Sequence, residues 1–316
     1  MIDVTPVSQF AASLLENTSR VMVGKENECR LLICALLARG HVLLQDVPGT
    51  GKTVLARTMA RLLRCDFTRV QCTPDLLPGD ITGSSLYDPS ESKFVFEKGP
   101  VFTTVLLCDE LNRATPRTQS ALLECMEERQ VSFGGETYRL PDSFFVIATQ
   151  NPIEIQGTFP LPEAQLDRFL MRLSLGYPAS GENAALLMRF MQKSPLETLE
   201  GVTDEKELCA MQALCAQVTA SQAVCEYIAA VCEKTRSLDH VTLGISTRGM
   251  LALLRACQAW AAMNGRDYVI PDDVKAVAVP VLAHRLRVRG ALEQTDAQKK
   301  AVESCLAQVA VPTETI

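Results

Sequence analysis

The chain has 316 residues, of which 47% are hydrophobic and 22% charged, and its formal net charge is −6. This composition is that of a globular protein of about two domains, which excludes a disordered chain. The acidic balance argues against a broad nucleic-acid surface, since that requires clustered Lys and Arg. The amino terminus lacks the pattern of a secretory signal, and the densest apolar run, Leu31 to Ala38, is far too short to cross a bilayer. We therefore expect a cytoplasmic protein without a membrane span.

Cysteine and histidine do not form a recognisable metal or disulfide pattern. The 12 cysteines include no C-x-x-C pair, and most lie within apolar helical or strand patterns. There they act as small hydrophobic residues. The three histidines, at positions 41, 240 and 284, are too far apart in sequence to predict a metal site.

Predicted strands and helices alternate along the first half of the chain. Apolar runs predict strands at His41–Leu44, Phe67–Gln71, Val105–Cys108, Phe144–Thr149 and Phe169–Leu175. Helical spacing predicts helices at Lys52–Leu63 and Pro116–Glu128, and a hairpin is predicted around Gly134-Gly135. Because the strand at Val105–Cys108 is apolar on both faces, we expect a parallel sheet covered by helices on both sides.

The character of the sequence changes after Gly176-Tyr177-Pro178. Strand signals stop there and helical patterns continue, as in the single face traced from Met250 to Ala261 that ends at Asn264-Gly265. We therefore predict an α/β domain at residues 1–177 and a smaller all-α domain at residues 178–316.

A phosphate-binding loop of the Walker A type is predicted between the first strand and the helix that follows it. Its sequence is Asp46-Val47-Pro48-Gly49-Thr50-Gly51-Lys52-Thr53. The glycines let backbone N–H groups turn toward phosphate oxygens, and the helix adds its positive dipole end. Lys52 supplies charge for the phosphates and Thr53 a hydroxyl for Mg²⁺. Asp46 replaces the first Gly of the general pattern, and we expect it to keep the turn through local hydrogen bonds. The alternative is a Gly-rich turn without a ligand.

Two later strands end in polar residues at the edge of the sheet where ligands bind in open α/β folds. The strand Val105–Cys108 is followed by Asp109 and Glu110, as in a Walker B motif. Asp109 would hold Mg²⁺ and Glu110 would activate the attacking water. The strand Phe144–Thr149 is followed by Asn151, which can hydrogen-bond that water or the γ-phosphate.

These residues resemble the MoxR family of AAA+ ATPases. The long matching stretches are DELNRATPRTQSALLECMEE at residues 109–128 and ATQNPIEIQGTFPLPEAQLDRFL at residues 148–170. Shorter ones lie at residues 23–25, 40–53, 246–274 and 283–285, so the resemblance covers nearly the whole chain. It implies a P-loop AAA+ core, a parallel sheet with helices on both faces, followed by an α-helical lid. It also implies a ring, usually a hexamer, that binds ATP and Mg²⁺ between core and lid near the neighbouring subunit.

The resemblance also implies a role for each matching site residue. Nucleotide would be contacted by Val23, Gly24, Pro48, Gly49, Thr50, Gly51, Lys52, Thr53, Val54 and Asp109, with the first two beside adenine. Asn151 would be the sensor-1 residue, Arg168 the arginine finger that acts on a neighbour's ATP, and Arg248 the sensor-2 arginine of the lid.

Simpler alternatives stay open for these three residues. Asn151 can be a turn-forming residue, and Arg168 can form an ion pair with Asp167 or Glu163. Arg248 can be solvated, although a cation at a helix start opposes the helix dipole, which suggests that it is paired.

Three further features suggest contacts with other molecules. We expect the glutamates at positions 124, 127 and 128, on the disfavoured end of their helix, to face Arg113 or Arg117 of an adjacent subunit. Residues Gly83–Gly99 resemble a hairpin inserted in this AAA+ branch. Together with the hairpin around Gly134-Gly135, they would line the ring pore or touch a client protein.

The favoured function is an ATPase motor that remodels or activates protein partners. The family resemblance implies partners with von Willebrand factor A domains, and roles in complex maturation or metal-cofactor insertion. The alternatives are a metal-chelatase motor subunit and a nucleotide-switched scaffold with little hydrolysis. A DNA-acting AAA+ protein is disfavoured because no basic stripe is visible. A small-molecule kinase is disfavoured by the acidic pair and the helical lid.

Overall fold

A computed structural model describes residues 2–90, 92–152, 154, 156–178, 181–191, 195–291 and 294–312. The helices are α1 Thr5–Val21, α2 Glu26–Leu37, α3 Lys52–Leu62, α4 Pro78–Thr82, α5 Pro116–Glu128, α6 Glu163–Leu166, α7 Asn183–Phe190, α8 Pro195–Thr198, α9 Glu205–Cys215, α10 Gln222–Arg236, α11 Thr247–Met263, α12 Pro271–Leu282 and α13 Gln294–Gln308. The strands are β1 Val42–Gln45, β2 Phe67–Gln71, β3 Gly83–Asp88, β4 Lys93–Lys98, β5 Val105–Asp109, β6 Gln130–Phe133, β7 Glu136–Arg139, β8 Phe145–Gln150, β9 Met171–Leu173, β10 Val241–Leu243 and β11 Arg287–Val288.

The core of the fold is a parallel sheet with the strand order β2-β5-β8-β1-β9. Successive residues of a strand point to opposite faces. Leu44 and Ile147 belong to one buried cluster and Leu43 and Val146 to another, so both faces are covered. The predicted parallel sheet with helices on both faces is therefore confirmed.

Two antiparallel hairpins, β3–β4 and β6–β7, project beside this sheet. They contact each other through aromatic rings, because Phe96 of β4 stacks on Phe133 at 4.9 Å and on Tyr138 at 4.4 Å between ring centroids. Nearer the turn of the first hairpin, Tyr87 and Phe94 are 54% and 72% exposed. The hairpin predicted within Gly83–Gly99 is confirmed, and it exposes two aromatic side chains near its turn.

The lid is built mainly from helices, as predicted, and packs against two parts of the core. Helices α9 and α11 pack on α1 and α2, and α12 packs on β9. Strands β10 and β11 form a small antiparallel sheet in the lid, so the prediction that strands stop after residue 178 is wrong. They have three and two residues, too few for a period-2 pattern to be recognised. The division between residues 177 and 178 stays a prediction.

Within the part of the chain that the structure describes, no helix combines the length and apolar composition that crossing a membrane requires.

Candidate active site

The phosphate loop joins the carboxyl end of β1 to the amino end of α3. Gly49 and Gly51 have φ values of 84° and 90°. Residues with a side chain rarely adopt such values, whereas glycine adopts them freely. Gly51 caps α3 without any side-chain hydrogen bond to the helix. The first N–H groups of α3 are therefore directed at the loop, an arrangement that suits an anionic ligand.

Lys52 lies over this loop. Its Nζ donates to the backbone oxygens of Asp46 at 2.9 Å and Val47 at 3.3 Å. Burial lowers the pKa of Lys52, while three nearby carboxylates oppose that shift. The hydrogen bonds of the ammonium within the described residues thus go to carbonyl groups, which are weak partners for a cation compared with a phosphate.

Asp46 is buried, at 5% exposure, and its carboxylate is bound by a distant part of the chain. It accepts hydrogen bonds from Ser174 Oγ at 2.8 Å, Leu175 N at 2.6 Å and Gly176 N at 3.0 Å. The expectation that Asp46 keeps the turn through local hydrogen bonds is wrong, because these three partners follow β9.

The first acidic residue, Asp109, ends β5. Its Oδ1 accepts from Thr149 Oγ1 at 2.7 Å, and its Oδ2 accepts from Arg69 Nη2, also at 2.7 Å. The same Thr149 hydroxyl accepts a hydrogen bond from the backbone N–H of Glu110 at 2.8 Å. One hydroxyl therefore fixes both acidic residues to the neighbouring strand β8.

The second acidic residue, Glu110, has a φ of 57°, which turns the chain sharply after β5. Its Oε2 accepts from Gln71 Nε2 at 2.9 Å and from Arg113 Nη1 at 3.1 Å. Because Gln71 ends β2, the carboxylate is held toward the β2 side of the sheet.

A cavity of about 380 Å³ brings the predicted nucleotide residues together. Its walls are Pro48, Gly49, Gly51, Lys52, Thr53, Val54, Asp109, Glu110 and Asn151. Thr50 lies within the same loop but is buried, and its hydroxyl bonds to the Val47 carbonyl at 3.4 Å. Asn151 also lines an adjoining cavity of about 380 Å³.

The segment predicted to lie beside adenine is close to this loop. A Cβ added at Gly51 would lie 3.5 Å from Cε of Met22, the residue before Val23. Gly24 has a φ of 67°, and a Cβ there would collide with the carboxylate of Glu182. Residues 22–24 therefore lie between the phosphate loop and the start of α7.

The residues present suit a magnesium nucleotide. Glycine amides and an ammonium line the loop, and the Asp109 carboxylate and Thr53 hydroxyl line the same cavity. Mg²⁺ prefers oxygen ligands, usually one or two carboxylates with substrate phosphates and several waters. Arg69 holds one oxygen of Asp109, so metal binding at that oxygen would replace one cation by another.

Arg168 and Arg248 lie elsewhere, around a second cavity of about 470 Å³. Arg168 Nε is 3.1 Å from Glu127 Oε2, and Arg248 also pairs with Glu127. This cavity is lined by Gly40 and His41, which precede β1, whereas the phosphate loop follows β1. The two arginines and the phosphate loop are therefore at opposite ends of the strand.

These contacts correct two expectations. The alternative partners of Arg168, Asp167 and Glu163, instead pair with Arg285 at 2.6 Å and Arg287 at 2.9 Å. Glu127 was expected to face a basic residue of a neighbouring subunit and instead binds two arginines of its own chain. Arg248 is paired with Glu127 and remains 47% exposed, and its expected role toward a nucleotide stays a prediction.

The sequence and fold of this chain are similar to those of known ATPases. The family model for the "ATPase family associated with various cellular activities (AAA)" matches residues 41–171, and the AAA lid domain model matches residues 233–304. The chain is 41% identical to Chaperone MoxR1 of Mycobacterium tuberculosis, covering 84% of this chain and 73% of that protein. It is 37% identical to Protein MoxR of Paracoccus denitrificans, with 86% and 87% covered. A crystal structure of a proposed ATPase from Cytophaga hutchinsonii has 34% identity, a TM-score of 0.86 and 97% of each chain covered.

Proposed function

Because this chain belongs to the MoxR family of AAA+ ATPases, we propose that it hydrolyses ATP at the interfaces between subunits of a ring. The work of hydrolysis would remodel or activate protein partners. One observation carries the proposal: a single cavity unites the phosphate loop with Asp109, Glu110 and Asn151.

Each residue of the cavity has a task in this proposal. Lys52 leaves its two carbonyl partners to bind phosphate oxygens, and Thr53 and Asp109 hold Mg²⁺. When bound, Mg²⁺ neutralises charge on the phosphates. Glu110 accepts the proton of the attacking water at its carboxylate, and Asn151 orients that water through its amide.

The two arginines are proposed to act on the nucleotide of a neighbour. They lie at the far end of β1 from their own phosphate loop, which favours action on a nucleotide bound by another subunit. A guanidinium fork suits the charge that spreads over a transferring phosphoryl group, and such a residue can contribute about 10³–10⁵ in rate. Glu127 keeps both arginines together until a phosphate replaces its carboxylate.

The assembly and its partners complete the proposal. We propose a hexameric ring in the cytoplasm, acting as a chaperone on a protein partner that carries a von Willebrand factor A domain. The joined hairpins β3–β4 and β6–β7 are the proposed client-contacting surface, since Tyr87 and Phe94 are exposed there. We propose that the domain division lies at residues 177/178, shortly after β9 ends at Leu173.

The test measures ATP hydrolysis against protein concentration, with sizing in parallel. The variants are Glu110→Gln and Arg168→Ala, and Arg287→Ala serves as a matched control because its ion pair is exposed. Activity of the natural chain should rise cooperatively with concentration. Glu110→Gln and Arg168→Ala should bind ATP but lose at least about 10³-fold in turnover, and Arg287→Ala should resemble the natural chain.

Two other outcomes would contradict parts of the proposal. A monomer whose turnover per chain is the same at all dilutions would exclude action of Arg168 on a neighbour. ATP binding with concentration-dependent assembly but no turnover in the natural chain would favour the nucleotide-switched scaffold.

A further inference from the structure

The segment Ser174–Tyr177, which we term the strap, connects β9 to the region of α7. Two charged side chains hold it. The Asp46 carboxylate accepts hydrogen bonds from Ser174 Oγ, Leu175 N and Gly176 N at 2.6–3.0 Å. Lys25 Nζ donates to the backbone oxygen of Tyr177 at 2.9 Å.

Both charged residues are buried, at 5% exposure for Asp46 and 9% for Lys25. Burying a charged side chain costs free energy unless the charge is hydrogen-bonded. The hydrogen bonds of these two side chains go to the strap. The strap is thereby held from two sides, by an anion at its start and a cation at its end.

Each of these side chains comes from a segment proposed to contact the nucleotide. Asp46 opens the phosphate loop, and its own backbone oxygen accepts Lys52 Nζ at 2.9 Å. Lys25 directly follows Gly24, on the adenine side of the site. The phosphate side and the adenine side of the proposed nucleotide site are thus both connected to the strap.

The carboxylate of Asp46 is not needed for the turn itself. The general Walker A pattern has glycine at this position, and the φ of Asp46 is not positive, so the backbone requires no special residue there. The side chain therefore serves its distant partners, the Leu175 and Gly176 amides, rather than the conformation of the loop.

We propose that Asp46 and Lys25 are positioning residues that transmit nucleotide occupancy to the strap and, through it, to α7 and the lid. When Lys52 leaves the Asp46 carbonyl for a phosphate, the main chain of Asp46 loses a cationic partner while its side chain still holds the strap. The start of α7 also lies against the site, because Glu182 covers Gly24. This inference rests on the proposed ATP binding.

The experiment uses ATP as the probe and hydrogen exchange of residues 174–191 as the readout, in a Glu110→Gln background that prevents turnover. ATP should slow exchange of these amides by about tenfold in the parent chain. Asp46→Gly restores the general motif, and exchange is compared at an ATP concentration that saturates both chains. The exchange of this variant at residues 174–191 should respond to ATP by less than about twofold.

Ser174→Ala is the matched control, because it removes one of the three hydrogen bonds and leaves both backbone donors on Asp46. It should keep most of the exchange response. Should Asp46→Gly fail to fold, Asp46→Asn takes its place, since it keeps the shape and loses the charge.

The results separate this inference from the proposed function. If the parent chain does not bind ATP, both fail. If it binds ATP but residues 174–191 do not respond, or if Asp46→Gly responds like the parent, the inference alone is overturned. Loss of ATP binding in Asp46→Gly would also overturn it, because Asp46 would then act on the loop itself.

Discussion

The buried ion pair between Asp167 and Arg285 should contribute strongly to the attachment of the lid to the core. The Arg285 side chain is 3% exposed and that of Asp167 is 18% exposed, with Nε and Oδ1 2.6 Å apart. The guanidinium also donates to the backbone oxygens of Phe169 at 2.7 Å and Leu170 at 3.2 Å. Asp167→Ala would leave this cation buried among backbone oxygens and the His284 ring, with no carboxylate beside it among the described residues.

The expected cost follows from the burial. Burial lowers the pKa of Arg285, and Asp167 is the first of the groups that oppose this shift, so removing Asp167 leaves desolvation uncompensated. Removing one partner of a buried pair costs about 3–5 kcal/mol. With an unfolding entropy of about 2.1 cal/mol/K per residue, a chain of 316 residues should lose about 5–8 °C in Tm.

Thermal unfolding followed by circular dichroism measures this loss, and Glu163→Ala is its matched control. Glu163 lies in the same short segment, but its pair with Arg287 has side chains 40% and 63% exposed. Exposed pairs contribute about 0–1 kcal/mol, so this variant should lose at most about 1.5 °C.

A double variant tests whether the unpaired buried cation causes the loss of Tm. Adding Arg285→Met to Asp167→Ala removes the unpaired cation and should recover part of the lost Tm. Equal losses in the two alanine variants, or a double variant less stable than Asp167→Ala, would show that charge burial does not control this contact.

Three further predictions concern the site, the hairpins and the response to acid. Thr149→Val removes the hydroxyl that fixes both acidic residues and should lower kcat about tenfold or more while the circular dichroism spectrum is unchanged. Phe96→Ala should speed protease cleavage within β3–β4 without changing ATP affinity, because the stacking between the two hairpins is lost. The pKa of His41 falls from 6.5 to about 3, mainly through burial, so below pH 6.5 the unfolded chain binds the proton first. The free energy of unfolding should then fall between pH 6.5 and 3 by up to about 1.4 kcal/mol per unit, and His41→Gln should reduce that slope in urea titrations.

Most of the sheet and the nucleotide cavity followed from local sequence. Strands that end in polar residues, and a glycine loop between a strand and a helix, are patterns of a few neighbouring residues. Parallel strands all end at the same edge of a sheet. Lys52, Asp109 and Asn151 could therefore be predicted to lie together without knowing the order of the strands. The strand limits differ by one or two residues, as for Phe169–Leu175, which the structure confines to Met171–Leu173.

Contacts between distant segments did not follow from local sequence. Thr149 was part of a recognised stretch, but its bridging hydroxyl depends on the β5–β8 register. Asp46 was recognised only as a departure from a motif, because its partners are 128 or more residues away. A buried strand ending in Thr, opposite an acidic pair, is a signal that could have identified Thr149; nothing local identifies Glu127 as the partner of two arginines.

The position of the two arginines restricts how the chains can assemble. Strand β1 separates the phosphate loop from the cavity of Arg168 and Arg248, so these features lie on opposite sides of the core. A two-fold dimer uses the same patch on both subunits, and one patch cannot contain both sides. Only a head-to-tail contact brings the arginines of one subunit to the phosphate loop of the next. Such a contact repeats until it closes, so the proposed site shared between subunits would require a ring or an open helix.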